Sequence, residues 1–287
     1  MTAAPKKTEE DGASPQTRIV VGLDTSIVAR DALALAARLA ASVDARLKGV
    51  FVEDENLIHL ADLPFAREIS FSGEIRELDP ERILRAMKAQ AESARRLLAR
   101  IASEAHIDWS FDVRRGRPLA ALAEHAMEDD TLVIRSPGAV SREIGRTVRV
   151  ATREAHADVL LVARGAGMKS ALVAPAPSLR GSMQSIVPGR PVAAADDGSS
   201  PGEMCSAFAE SLAARIGAPF MRLDARGLSP ADLAQAVRQG GAGLLVVDAG
   251  RLANDDDAAR LSAAAGCPVL LLGKERGSAG GPQKKGG

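Results

Sequence analysis

Short apolar runs alternate with Ala- and Leu-rich stretches along most of this chain, and that alternation limits what it can fold into. Arg18–Leu23 (RIVVGL) is a strand-sized run ending at Asp24. A helical stretch follows from about Ile27 to Ser42, with Ser26 placed to cap it. Ala45–Val52 reads as a second strand. Pro80 opens a long helix to about Glu104, with Ile83, Met87, Ala91, Ala94, Leu98 and Ile101 on one face. Strand, helix, strand, helix, strand then follow at Ile107–Val113, Pro118–Met127, Thr131–Ile134, Ser141–Ala155 and Asp158–Val162. Short runs bounded by turn residues read as buried parallel strands, and βαβ repetition means a parallel sheet with helices on both faces. The expected class is therefore α/β, doubly wound.

The alternation stops at 164–189, which is rich in Pro, Gly and Ser, and then resumes. Pro191–Ala195, Phe220–Leu223, Leu244–Val247 and Val269–Leu272 read as strands; Glu203–Ile216, Pro230–Arg238 and Ala258–Ala265 read as helices. The expected division is a polar tail at 1–16, a first domain at 17–164, a linker at 165–189, a shortened second unit at 190–274 and a tail at 275–287.

Composition excludes several classes. Hydrophobic residues make up 46% of the 287, enough for a core, and charged residues 26%. Lys+Arg and Asp+Glu both total 37, so a balanced charge argues against a protein that coats nucleic acid or an anionic membrane. The expectation is no nucleic-acid and no membrane partner. Two cysteines, Cys205 and Cys267, are too few for a disulfide framework and fit a reducing compartment. No apolar run approaches the ~20 residues that span a bilayer, and Met1–Asp11 has no apolar stretch of the signal-peptide kind. A cytoplasmic location is expected. The Ala/Arg bias points to a GC-rich, bacterial genome.

The two alternating stretches look like an internal repeat. Each opens with a strand and Asp-x-Ser: Asp24-Thr25-Ser26 and Asp197-Gly198-Ser199. Each closes on a strand after a small-residue turn, at Val159 and Val269. Leu132 to Val159 spans 27 positions and Leu245 to Val269 spans 24. The opening Asp to the penultimate strand takes 108 positions in the first stretch and 48 in the second, so the shortfall lies in the middle.

With Arg18-Ile-Val-Val-Gly-Leu-Asp-Thr-Ser26, the Ala-rich helix after it, Leu47–Val52 and the closing Ala155–Val162, residues 17–164 resemble the universal stress protein family; residues 190–274 resemble it weakly. The resemblance implies small doubly wound α/β units of the adenine nucleotide alpha hydrolase-like type, a role in stress tolerance, pairing of tandem repeats or homodimers, and ATP binding in one subgroup. It also implies a site. In that subgroup an acidic residue at the position of Asp24 contacts the nucleoside, and the end of the second strand, here Val50–Val52, offers backbone groups to the adenine. The triphosphate takes a loop spaced Gly-x2-Gly-x9-Gly-Ser/Thr, because glycines let main-chain N–H groups approach an anion.

That loop is not kept. Gly138 is present in Arg135–Arg149, but Ser141 stands three places on, where the second Gly belongs, and Ala151 takes the place of the third Gly, ahead of Thr152. Asp248–Ala253 in the second unit is no better. The chain therefore reads as a non-enzymatic stress-response or regulatory module without the usual phosphate loop. Arg142, Arg146, Arg149 and Arg153 recur at spacings of four, three and four, along one helical face. Arg135, Arg142 and Arg146 could hold a small anionic ligand, ATP or another adenine nucleotide included, beside Asp24; the other reading is a solvated helix face. The candidate site is Asp24, Thr25, Ser26, Val52, Arg135, Ser136, Gly138, Arg142 and Arg146.

Two alternatives stay open: a nucleotide-binding or ATP-hydrolysing stress protein, and a degenerate receiver-like second unit with Asp196, Asp197 and Asp248 as its acidic pocket. Residues 54–79 read as irregular, serving as a flap, a dimer contact or core packing. His59, His106, His125 and His156 show no metal spacing, and no Rossmann, Walker or nucleophile-elbow motif is present.

Overall fold

The computed structural model describes residues 17–23, 27–69, 72–136, 142–163 and 189–273. The two tails and most of the linker expected from the sequence lie outside these residues, as do Asp24, Thr25, Ser26 and Gly138.

The first stretch of chain runs β1 (Arg18–Leu23), α1 (Ile27–Val43), β2 (Arg46–Asp54), α2 (Glu55–Ala61), β3 (Arg67–Ile69), β4 (Ile75–Glu77), α3 (Pro80–Ala105), β5 (Trp109–Gly116), α4 (Pro118–Ala123), β6 (Thr131–Ser136), α5 (Arg142–Arg149) and β7 (Asp158–Ala163). The second runs β8 (Val192–Asp196), α6 (Ser200–Ile216), β9 (Phe220–Asp224), α7 (Pro230–Gln239), β10 (Leu244–Asp248), α8 (Asp255–Ala265) and β11 (Val269–Leu272). Local chemistry sets many of the boundaries. Asp79 caps α3 by accepting the Glu81 N–H at 3.0 Å, with Pro80 in the first turn. Ser199 caps α6, Ser229 and Asp232 form a capping box on α7, and α6 and α8 end at Gly217 and Gly266 with φ of 65° and 71°.

Nine strands form one sheet in the order β5-β2-β1-β6-β7-β11-β10-β8-β9. The first five are parallel to one another and so are the last four. The blocks meet where β7 and β11 pair antiparallel, with Leu160 opposite Leu270. Every residue of β7 is buried, as a strand covered on both faces must be. Neighbouring residues point to opposite faces: Leu160 joins Leu33, Leu98 and Leu212 beneath α1, α3 and α6, while Leu161 joins Ile144, Leu233 and Leu261 beneath α5, α7 and α8. Within the second block β9 leads straight to α7, and no element corresponds to α3 or β5. Among the described residues no helix is long and apolar enough to cross a membrane.

Several elements differ from the sequence reading. Residues 54–79 are not irregular: Asp54 caps α2 by accepting the Asn56 N–H at 2.9 Å, and β3 and β4 form a small separate hairpin. Those elements are too short for periodicity to reveal. Nor is the segment chiefly core. Ala61 is buried, but Phe65, Ile69 and Ile75 are exposed. The helix after Pro118 stops at Ala123, short of Met127. The helix expected at 141–155 changes winding: α5 ends at Arg149 and a π-helical turn covers Val150–Glu154.

Candidate functional site

In doubly wound sheets, ligands bind at the carboxyl ends of the strands where the strand order reverses. In the first block that point lies between β1 and β6, because β1 is followed by β2 on one side while β6 lies on the other. Val52, near the end of β2, is half-buried and pairs with Arg114 of β5. Next to it Glu53 is nearly buried and accepts both Nε and Nη2 of Arg115, at 3.2 and 3.0 Å.

Arg135 and Ser136 end β6, level with Val162 and Ala163 of β7. Arg135 is half-buried. Ser136 is fully buried, and among the described residues its Oγ has no hydrogen-bond partner. A buried hydroxyl left unpaired costs about 1–3 kcal/mol.

The arginine face of the sequence reading divides in two. Arg142 and Arg146 are exposed on α5. Arg149 and Arg153 instead reach the second block: Arg149 Nη1 lies 3.2 Å from Asp255 Oδ1, and Arg153 Nη2 donates to the Leu252 carbonyl at 3.3 Å. Gly145, between Arg142 and Arg146 on α5, faces the main chain of Asp255. The π-helical turn places Ala151 fully inside the protein.

The second block has its own switch point, between β8 and β10. Asp196 ends β8, is almost fully buried, and accepts the Gly198 N–H (2.8 Å), the Ser206 hydroxyl (2.8 Å) and Arg222 Nη2 (2.5 Å). Those donors hold its carboxyl below the usual range, the Gly198 amide foremost. Asp197 is likewise held low, first by the Ser199 hydroxyl and amide and then by Arg251. At the end of β9 the Asp224 carboxyl is pushed down to about 2 by Arg226, whose Nε and Nη2 lie 2.9 and 2.7 Å away.

Arg251 is the residue the sequence reading missed. It sits in a short 3-10 turn (Ala249–Arg251) after β10, with its side chain 17% exposed. Nη1 lies 3.2 Å from Asp197 Oδ2; Nη2 donates to the carbonyls of Leu228 (2.8 Å) and Ala225. The guanidinium thus ties the end of β8 to the loop after β9. An arginine on a loop carries no sequence signal of such a reach, because its partners lie in other elements.

Two of the histidines have structural surroundings. His106 caps α3 in the left-handed conformation, at φ 55°. A ring nitrogen of His125 lies 2.8 Å from the Ala121 carbonyl.

No family model matches the sequence, and no curated protein matches it. Solved structures do. A universal stress protein from Archaeoglobus fulgidus superposes on 89% of this chain and 96% of its own, with a TM-score of 0.55 at 11% identity. The chain has the universal stress protein fold. A functionally unknown protein from Pseudomonas aeruginosa covers 90% of this chain and 93% of its own, with a TM-score of 0.50 at 12% identity. A universal stress protein in complex with cAMP matches 52% of this chain and 98% of its own at 23% identity, with a TM-score of 0.30. On the universal stress protein fold, the β1–β6 crevice with Ser136 and Val52 is one candidate cleft, and the β8–β10 crevice is spanned by Arg251.

Proposed function

We propose that the chain is a non-enzymatic stress-response or regulatory module. Two universal-stress-protein-like units, at 17–164 and 190–274, pair within one chain, and the second has lost a central segment. The parallel blocks joined antiparallel at β7 and β11 support the internal pairing, and the missing counterparts of α3 and β5 support the shortening.

The first unit is the ligand-binding one. Its cleft takes a small anionic ligand of adenine-nucleotide type, with Asp24, Thr25, Ser26, Val52, Arg135, Ser136, Gly138, Arg142 and Arg146 around it, and does not grip a triphosphate through main-chain amides. The observation that carries this reading is the position of Ala151 and Thr152. Ala151 stands where the phosphate loop needs its third Gly, buried inside a π-helical turn, and the hydroxyl of Thr152 at the Ser/Thr place is taken up by the Val148 carbonyl at 2.9 Å. Amides engaged in a helix do not cradle an anion. The buried Ser136 Oγ, unpaired among the described residues, supports a polar contact at the end of β6.

A receiver-like second unit is less well supported. The carboxylates of Asp196 and Asp197 already accept Gly198, Ser206, Arg222, Ser199 and Arg251, which leaves little for a metal ion.

Calorimetric titration with ATP, AMP and cyclic AMP tests the reading. AMP is expected to bind at least as well as ATP, because a lost cradle leaves the outer phosphates without partners. Absence of saturable heat with all three would end the ligand assignment. A strong preference for ATP, or release of phosphate from it, would overturn the non-enzymatic one.

A further inference from the structure

The two faces of the sheet close differently over the seam between the blocks. On one face α5 and α8 meet main chain to main chain at Gly145 and Asp255. On the other, α1 and α6 flank the seam and are linked at the end of α1, where Arg215 Nη1 donates to the Ser42 carbonyl at 3.2 Å. Between these two helices lies a cavity of about 200 Å³.

Its walls come from both blocks. Ile19, Leu39, Leu212 and Leu270 line it, each no more than 2% exposed, together with half-buried Phe208. Thr17, Thr131, Ser211 and Arg215 add polar wall, so the space is of mixed polarity and opens to solvent, with a volume that takes an aromatic ring or a short branched chain. Among the described residues that line it, Arg215 alone is charged, and it is exposed beside Ser211. No carboxylate lies within salt-bridge distance of Arg215 among the described residues; its hydrogen bond is to one carbonyl. A guanidinium carries five N–H donors in a fork that matches a carboxylate.

We propose that this cavity binds a small carboxylate with an apolar body, the ring or branched chain between Leu39 and Leu212 and the carboxylate met by Arg215. The site is separate from the β1–β6 cleft, at the opposite end of the strands, near the starts of β1 and β6 where Thr17 and Thr131 lie. Because α1 and α6 each supply a wall, an occupant ties the two blocks together. Any ligand that binds the folded state alone raises its stability by mass action.

The test uses the full chain and phenylacetate as the probe, followed by calorimetric titration and thermal melting. One phenylacetate per chain is expected to bind saturably and raise the melting midpoint. Arg215→Gln is expected to weaken it about tenfold or more, as loss of a charge-assisted pair should, while binding of neutral phenylacetamide stays unchanged. Ser211→Phe blocks the mouth from an exposed position and is expected to abolish binding without lowering the midpoint of the unliganded chain. Absence of saturable phenylacetate binding overturns the proposal, as does undiminished binding in either variant. If Ser211→Phe disturbs folding, the Arg215→Gln comparison decides by itself. AMP titration of the same variants separates this site from the nucleotide cleft: AMP binding should survive both substitutions.

Discussion

Gly145 on α5 faces the main chain of Asp255 on α8 so closely that a β-carbon built on it would lie 1.7 Å from the Asp255 carbonyl oxygen. The obstacle is backbone, which cannot rotate away as a side chain can. The two blocks approach each other on this face at a point where only a hydrogen fits.

Gly145→Ala is therefore expected to destabilise the protein, although alanine favours a helix by roughly 0.5–1 kcal/mol over glycine. Overpacking of this kind costs about 1–3 kcal/mol and more where backbone must move, so the clash wins. Thermal melting should show the midpoint falling by at least about 4 °C. An unchanged or raised midpoint would mean the helices part without cost.

Arg18, at the start of β1, holds Asp130 before β6 with two bonds of 2.8 Å, from Nε and Nη2. Asp130 is nearly buried and also accepts the Met127 N–H at 2.9 Å. Arg18→Ala leaves that carboxylate without its counter-charge and is expected to cost about 2–4 kcal/mol. Adding Asp130→Asn removes the stranded charge and should recover part of the loss. Denaturant melts of the two single variants and the double variant measure the coupling. Additive losses would show that the pair contributes nothing beyond its members.

Asp196 makes stability depend on acid. Its folded carboxyl titrates below the usual value because the Gly198 amide, the Ser206 hydroxyl and Arg222 favour the charged form. That contribution is complete above the unfolded carboxyl's range, near about pH 4, and is lost as pH falls through the lower folded value. Ser206→Ala removes one donor and raises the folded value. The variant should thus melt earlier than the parent at neutral pH, with the gap closing below about pH 4. A gap that is constant with pH would exclude the linkage.

Both thiols should be silent in the folded protein. Burial pushes Cys205 and Cys267 up to about 12, with the Asp248 charge adding to the effect at Cys205. A disulfide reagent at about pH 8 attacks thiolate. It should label neither cysteine until denaturant is added, when two equivalents react. Labelling of native protein at the rate of free cysteine would contradict this burial.

Much of the architecture was legible because it is written locally. β1 has the bounds read from its apolar run, and so does β11. Pro80 opens α3 where proline suits a first helical turn, and the three aspartates at 255–257 open α8 where negative charge suits a helix start. Asp197-Gly198-Ser199 proved to be a turn in which Asp197 accepts the Ser199 amide and Ser199 caps α6. The hairpin at 67–77 was not legible, since three-residue strands with Ile69 and Ile75 exposed carry no alternation that distinguishes them from a loop. At the candidate site, Ser136 and Val52 could be placed at strand ends from order alone, but the complete burial of the Ser136 side chain could not, since burial depends on what surrounds it.

By itself the sequence determined the alternation of strand and helix, the caps that start and end the helices, and the absence of the glycine pattern that would cradle a triphosphate. These depend on residue types a few positions apart, and such neighbours act whatever the rest of the chain does. Tertiary structure alone decided that β7 and β11 join two blocks into one sheet, that Gly145 must stay without a side chain, that Arg149 and Arg153 serve the seam, and that Arg251 spans the second crevice. Each of these is a contact between residues far apart in the chain. Its existence depends on how the helices settle on the sheet, which no local pattern records.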